Sequence, residues 1–449
     1  MVFQDRLYQY ILFCACSFTS LQSGLNDGWS SFALPLLIST IPLTKDESSW
    51  LVSVYPIGSV VGSTIFMLLA DVFGRRTILL MGTLPLCGTW LWIAFARSTW
   101  ELDVARFTAG FLDGFTTLCG VLYLAEVSDP KIRGLLITGC KMFYIAGLFV
   151  TNLLGAFLTV FQAAIISSAV SLSVFLYLLV PESPYFHMIK NEDNKAKVNM
   201  KIFNKNADVD VIRNALNEQK SKDGKWFELF TEANNRKSLY LIIVMKIFQQ
   251  FSGIAIFVYY AQTVFSQSKD DVNPIIFVSI YYTLQITVMI INGLIVDKIG
   301  RKPLLLTSMC TVVVALLIVS TYFVLKNVTT IDVSEYSWCP VVGLFLYIVG
   351  YSLGLQNVPY IIVSEIFPLH VKSVASGIFC LVYGICAVVA SKLFQYTTDK
   401  FGMHVPFIIF TISSICSIPF FALFVPETKK KTLEKIERDI RLKETSNVN

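Results

Sequence analysis

Charge is scarce in this chain. Asp, Glu, Lys and Arg make up 15% of its 449 residues, against roughly 25% in an ordinary soluble domain. With 55% hydrophobic residues, that shortage excludes a soluble globular chain, because the apolar excess needs lipid to cover it. Histidine is scarcer still: His187, His370 and His404 form no metal spacing. The ten cysteines include no Cys-x-x-Cys pair, and Cys14, Cys16, Cys87, Cys119, Cys310 and Cys386 lie inside apolar runs. They read as packing or lipid-facing residues, not as a disulfide framework or a metal centre. A Gly-x-x-x-x-Gly-Lys-Ser/Thr phosphate loop is missing, which removes support for ATP-driven transport. No nucleophile-base pair stands in the apolar runs, so an enzyme is not expected and no cofactor is implied. The net charge of +5 is small and scattered over short loops, which argues against nucleic acid as a partner. A small-residue cleavage site is also lacking after the first apolar run, so that run is expected to be retained as a span.

What the chain has is long apolar runs. They fall at about 8–39, 50–70, 78–96, 102–126, 134–159 and 162–180, and again at about 238–266, 274–296, 304–325, 340–366, 375–398 and 404–425. Each is close to the roughly 20 residues a span needs. The expectation is an all-α polytopic membrane protein of twelve transmembrane helices in two six-helix halves, 1–186 and 238–428. Between them, 187–237 is a polar linker with Ile202, Val209, Ile212 and Leu216 at helical spacing, read as short amphipathic helices. A basic tail follows at 429–449.

Orientation follows from the connections. Arg75, Arg76, Lys131, Arg133, the linker, Arg301, Lys302, Lys372 and Lys429 all fall on one side if every run spans once, and the opposite loops hold fewer positive charges, Lys45, Arg97, Lys269 and Lys326. Lysine and arginine collect in cytoplasmic loops. Both termini and the linker are therefore expected in the cytoplasm, with the plasma membrane as the expected location. Asn327-Val328-Thr329 forms a glycosylation sequon in an outward loop, consistent with that orientation.

The two halves repeat. Asp71-Val-Phe-Gly-Arg-Arg76 answers Asp297-Lys-Ile-Gly-Arg-Lys302, Ala125-Glu126-Val127 answers Ser364-Glu365-Ile366, and Pro181-Glu-Ser183 answers Pro426-Glu-Thr428. Duplicated six-span halves are a recurring carrier architecture with the solute near the midplane. The glycine in Asp-x-x-Gly-Arg permits a tight reversal between helices. Asp71, Arg75, Arg76, Glu126 and Arg133, with Asp297, Arg301, Glu365 and Lys372, are expected to lock the cytoplasmic helix ends in one state and separate in another. A static helix-end cap is the competing reading.

In these motifs the chain resembles the sugar porter branch of the major facilitator superfamily, and within it the insect facilitated trehalose and sugar transporters. Further carriers of the resemblance are Gly28-Trp29 before Pro35, Arg106 to Gly110, Glu126 to Gly134, Gln249-Gln250-Phe-Ser-Gly253 and Tyr259-Tyr260. The resemblance implies the twelve-helix major facilitator fold, alternating access and a small sugar as solute, a hexose or a trehalose-like disaccharide, moved by facilitated diffusion. A proton-coupled symporter and a non-transporting sugar sensor are the alternatives; the short stretch after Pro426 favours transport over sensing.

The resemblance also places the solute site. Gln249 and Gln250 stand where the family's paired glutamines bind sugar hydroxyls, an amide being both donor and acceptor. Tyr260 belongs to the matching Tyr-Tyr pair. Other positions are rewritten: Ala255 and Gln285 stand where asparagines are expected, Tyr360 replaces a tryptophan, Gln356 and Asn357 replace small or proline residues, Tyr383-Gly384 replaces an Asn-Trp pair, and Lys141 replaces a glutamine. A charge inside a span faces the bundle interior or a partner. Asp27, Arg106 and Asp113 are therefore read either as a proton-coupling site, with Asp27 titrating beside Arg106, or as a fixed network of Asp113, Lys141 and Arg106; the fixed network is favoured.

Overall fold

The computed structural model describes residues 6–40, 44–129, 132–203, 227–268, 273–329, 333–367 and 369–429, and among these the regular structure is helical throughout. The chain divides into two compact units, Met1–Ser221 and Lys222–Asn449. In the first lie α1 (Leu7–Thr40), α2 (Lys45–Phe73), α3 (Arg75–Phe95), α4 (Thr99–Val127), α5 (Arg133–Phe157) and α6 (Val160–Ser171), the last continued by a tight turn over Leu172–Leu179 and followed by short α7 (Pro184–Ile189) and α8 (Asp193–Phe203). The second holds α9 (Glu228–Thr231), α10 (Ala233–Gln249), α11 (Ala255–Ser268), α12 (Pro274–Ile299), α13 (Arg301–Val328), α14 (Cys339–Gly350), α15 (Val358–Ile366), α16 (Leu369–Phe401) and α17 (His404–Phe424).

Among the described residues, eleven helical segments are long and apolar enough to cross a bilayer. The 34-residue α1 has the length but not the hydropathy, because Gln22, Ser23, Asn26, Asp27, Ser30 and Ser31 run along it. All six are buried. Polar side chains of a span turn away from lipid, and these six do so. The outward surface is the reverse: Met81, Leu84, Phe95, Phe157 and Leu294 are exposed, as a lipid-facing surface requires.

In the first unit small residues let backbones meet. A Cβ on Gly24 of α1 would lie 2.0 Å from the Tyr144 carbonyl oxygen of α5, and one on Gly147 would lie 2.2 Å from that of Leu21. Such close approach substitutes for the hydrophobic force that lipid cannot supply. The start of the linker belongs to this unit. Ala196, Met200 and Phe203 of α8 form a buried stripe, Phe203 meets Tyr123 edge-on at 6.1 Å, and Gln9 Nε2 donates to the Phe203 carbonyl at 2.8 Å. The expected amphipathic pattern at Val209, Ile212 and Leu216 lies outside the described residues, as do the tail beyond Lys429 and the side chains of Asp71, Asp297 and Lys372.

In the second unit two spans are interrupted by π turns, Gln250–Ile254 between α10 and α11 and Tyr351–Leu355 between α14 and α15. Gly253 takes φ 100°, a conformation that side chains resist. A π turn loosens the regular ladder and is common at functional positions. Here side chains take up backbone groups of the second turn and its flank: Ser308 Oγ donates to the Gly350 carbonyl at 2.7 Å and accepts from the Leu355 N–H at 2.8 Å, and Asn292 Nδ2 donates to the Leu353 carbonyl.

Candidate solute site and helix-end clusters

The first π turn follows Gln249 directly, and the residue one helical turn before Gln249 is Lys246, which is fully buried. Its Nζ donates to Gln249 Oε1 at 2.8 Å and to the Tyr360 hydroxyl at 3.0 Å. The same ammonium lies 4.4 Å from the Tyr360 ring centroid, 4.4 Å from that of Phe379 and 4.7 Å from that of Tyr383. Three aromatic faces around one cation form a cage in which ring quadrupoles replace part of the lost hydration. Gln249 Nε2 donates to the Leu355 carbonyl at 2.6 Å, tying the cage to the second π turn. Three residues expected at the site, Gln249, Tyr360 and Tyr383, are thus brought together by one that the sequence reading passed over. The signal is present in the sequence: Lys246 is the single charge in the run from Ser238 to Ser268, and a charge inside a span, here as at Lys141, faces the bundle interior or a partner.

Near the cage stand further glutamine amides. Gln250, Gln285 and Gln356 each have a buried Oε1 with no hydrogen-bond partner among the described residues. Gln285 stands one turn before Met289, whose Sδ is 4.0 Å from Gln356 Nε2. Leaving such an acceptor unpaired costs about 1–3 kcal/mol, which a bound donor would recover. Tyr260 is buried against Phe394, ring centroids 5.1 Å apart, and makes no hydrogen bond or ring contact with the cage among the described residues.

In the first unit Arg106 is fully buried. Its Nη1 donates to the Asn26 carbonyl at 2.8 Å, its Nη2 reaches Ser30 Oγ at 3.4 Å, and its guanidinium lies 4.8 Å from the Trp29 ring centroid and 4.4 Å from that of Tyr55. Asp113 accepts from the Ser23 hydroxyl and, at 3.3 Å, from that of Thr117. Asp27 accepts from the Tyr144 hydroxyl at 2.7 Å. Each of the three has a neutral hydrogen-bond partner, with α1 supplying that partner or the side chain itself in every case, and Asp113 also feels the charge of Arg106. Lys141 is half-buried one turn before Tyr144. Gln22, also on α1 and buried, has no partner at either amide atom among the described residues and is a polar group that sequence reading did not single out.

The repeated motifs make two matching clusters. Gly74 and Gly300 adopt φ 87° and 109°, turning the chain so that the next residue opens a helix. The backbone N–H groups of Arg75 and Arg76 donate to Glu182 Oε1 at 2.8 and 3.1 Å; those of Arg301 and Lys302 donate to Glu427 at 3.1 and 3.0 Å. A carboxylate there meets both the orphan donors and the positive end of the helix dipole. Partial burial works to raise the Glu427 carboxyl, and the N–H donors of Lys429, Arg301, Lys302 and Thr428 outweigh it, holding it below the ordinary carboxylate range.

The arginine side chains then reach the neighbouring helix of the same unit. Arg75 donates Nε and Nη2 to Glu126 Oε1 at 3.1 and 3.0 Å, while Arg301 Nη2 donates to Glu365 Oε1 at 2.9 Å. Ser183 and Thr428 hydroxyls occupy the second oxygens of Glu126 and Glu365. Arg76 Nε and Nη2 close the end of the 3-10 turn through the carbonyls of Tyr177 and Leu178, at 3.0 and 3.1 Å. Arg133, expected to partner Glu126, donates instead to the Ser128 carbonyl at 3.2 Å; Arg75 has the carboxylate. The glutamates at 182 and 427 were legible only as motif letters, and their capping role required the fold.

Comparison with known proteins agrees with this architecture. Residues 12–440 match the sugar (and other) transporter family. The facilitated trehalose transporter Tret1 of Bombyx mori is 27% identical over 94% of this chain and 85% of its own length, and that of Apis mellifera ligustica is 27% identical over 96% and 88%. Among solved structures, the proton:xylose symporter XylE bound to 6-bromo-6-deoxy-D-glucose superposes with a TM-score of 0.77 at 20% identity, covering 96% of this chain and 98% of that one, which establishes the major facilitator fold. A match across nearly the whole length, with both helix-end motifs in place, makes this multi-pass membrane protein a member of the sugar (and other) transporter family.

Proposed function

We propose that the chain carries a saccharide, a hexose or a trehalose-like sugar, down its gradient by alternating access. The observation that carries this reading is the set of buried amide oxygens on Gln250, Gln285 and Gln356 that lack donors among the described residues, beside the aromatic residues Tyr360 and Tyr383. Sugar hydroxyls supply donors and the pyranose ring supplies an apolar face. The insect relatives are facilitated trehalose transporters, which favours downhill movement. In this reading the helix-end clusters around Arg75 and Arg301 bias the change between states, and the termini and linker lie in the cytoplasm of a plasma-membrane protein.

Proton-linked symport is the second reading, favoured by the buried carboxylates Asp27 and Asp113 on α1 and α4. One experiment separates the readings: uptake of labelled glucose and trehalose into proteoliposomes, with and without a pH gradient. Equilibration without accumulation supports facilitated transport, accumulation with the proton gradient supports symport, and specific binding without uptake indicates a sensor.

A further inference from the structure

Lys246 changes what Gln249 can offer a solute. One lone pair of the Gln249 amide oxygen takes the ammonium and one of the amide's two N–H groups goes to the Leu355 carbonyl, which halves what the amide can offer a hydroxyl. The Tyr360 hydroxyl oxygen accepts from the same ammonium, and the ring faces of Tyr360, Phe379 and Tyr383 are turned to it. This part of the site has less of the two-way hydrogen bonding that suits a neutral hydroxyl and has gained a positive charge in a buried, aromatic setting. Charge-assisted bonds are strong there because water does not screen them.

The adjoining acceptors have the opposite character. Gln250 follows Gln249 in the chain, Gln356 follows Leu355, and their side-chain oxygens, with that of Gln285, call for O–H or N–H donors. A solute that matches both parts presents hydroxyl groups at one end and an acceptor-only, negatively charged group at the other.

We infer that Lys246 is the specificity-determining residue of the solute site, and that the preferred solute is a sugar acid, a polyhydroxylated ring bearing a carboxylate. The inference rests on the saccharide reading above and narrows it. A hydroxyl of a neutral pyranose can also accept from the ammonium, but a carboxylate adds its full negative charge to that bond.

The test measures binding of D-glucuronate, D-glucose and trehalose to the full-length protein in proteoliposomes, for the parent, Lys246→Gln and Lys246→Arg, with folding followed by thermal unfolding. The parent is expected to bind glucuronate about tenfold more tightly than glucose, the scale of one charge-assisted bond. That preference is expected to vanish in Lys246→Gln and to survive in Lys246→Arg. Lys246→Met, which keeps the apolar stem, replaces Lys246→Gln where the latter does not fold. Equal affinity for glucose and glucuronate in the parent, or an unchanged ratio in the folded neutral variant, overturns the inference and leaves the saccharide reading standing. Binding of none of the three sugars by folded protein overturns both.

Discussion

Glu182 and Glu427 stand in the same relation to their units: each carboxylate accepts the first two backbone N–H groups of the helix that follows a positive-φ glycine. Each is also one residue before the hydroxyl, Ser183 or Thr428, that holds the second glutamate of its cluster. The duplication seen in the sequence is therefore a duplication of hydrogen bonds, with Asn199 Nδ2 of α8 donating to the Glu182 carbonyl at 2.9 Å in the first unit.

Removing such a cap costs stability before it costs chemistry. Glu182→Ala and Glu427→Ala are each expected to lower stability by about 1–2 kcal/mol, the range of a lost N-cap with its dipole contribution. Glu→Gln at either position keeps an oxygen acceptor and should lose less. Thermal unfolding in detergent reads the difference; alanine variants as stable as the parent would show that the carboxylates cap nothing of consequence.

Arg75 and Arg301 are expected to govern the rate of the conformational change rather than affinity. Arg75→Ala and Arg301→Ala should slow uptake while solute binding at equilibrium stays near the parent value, since the guanidiniums bind Glu126 and Glu365 and a residue that touches no solute can shift only the balance of states. Arg75→Lys should recover little, because one ammonium does not reproduce the paired Nε and Nη2 contacts. Folded variants that lose binding would remove these residues from a gating role.

The helical architecture was legible because spans announce themselves by length and hydropathy, and the paired motifs by repetition. The site was less so, for physical reasons that differ by residue. Gln249 was found by its motif, yet its partner Lys246, three residues away, was masked by an otherwise apolar run. Glu126 was found, but its pairing with Arg75 rather than Arg133 depends on the way α3 begins beside α4. Tyr260 was placed at the site by its motif neighbours, while the backbone at Tyr260, φ −133°, departs from the helix and the side chain packs on Phe394.

Topology gives a prediction that does not depend on the solute. Tags at either terminus or in the linker should be reachable only from the cytoplasm, because that side collects lysine and arginine. Asn327, near the end of α13 and 3.3 Å from His404 Nδ1, should carry a glycan that is lost in Asn327→Gln. Antibody access to a linker tag on intact cells would reverse the orientation.

Asp27 tests the driving force. Asp27→Asn preserves an oxygen to accept from the Tyr144 hydroxyl, now 2.7 Å from Asp27 Oδ2, but removes the titratable group. For downhill transport neither parent nor variant accumulates solute under a pH gradient. Accumulation by the parent that disappears in Asp27→Asn, with exchange retained, would establish proton coupling in its place.

Gln250 and Gln249 are expected to behave differently although they are neighbours in sequence. Gln250→Leu removes an amide whose oxygen has no partner among the described residues, so it should weaken solute affinity by about 0.5–1.5 kcal/mol, the scale of one hydrogen bond, with little effect on thermal stability. Gln285→Leu should do the same. Gln249→Leu removes the acceptor of a buried ammonium and the donor to the Leu355 carbonyl. Breaking a buried charged contact from one side costs more than one neutral hydrogen bond, so Gln249→Leu should lower stability as well as affinity. Binding titrations paired with unfolding curves separate the two patterns. If Gln250→Leu and Gln285→Leu bind sugars as tightly as the parent, the unsatisfied amides are not the solute's acceptors; if Gln249→Leu is as stable as the parent, the cage around Lys246 does not depend on it.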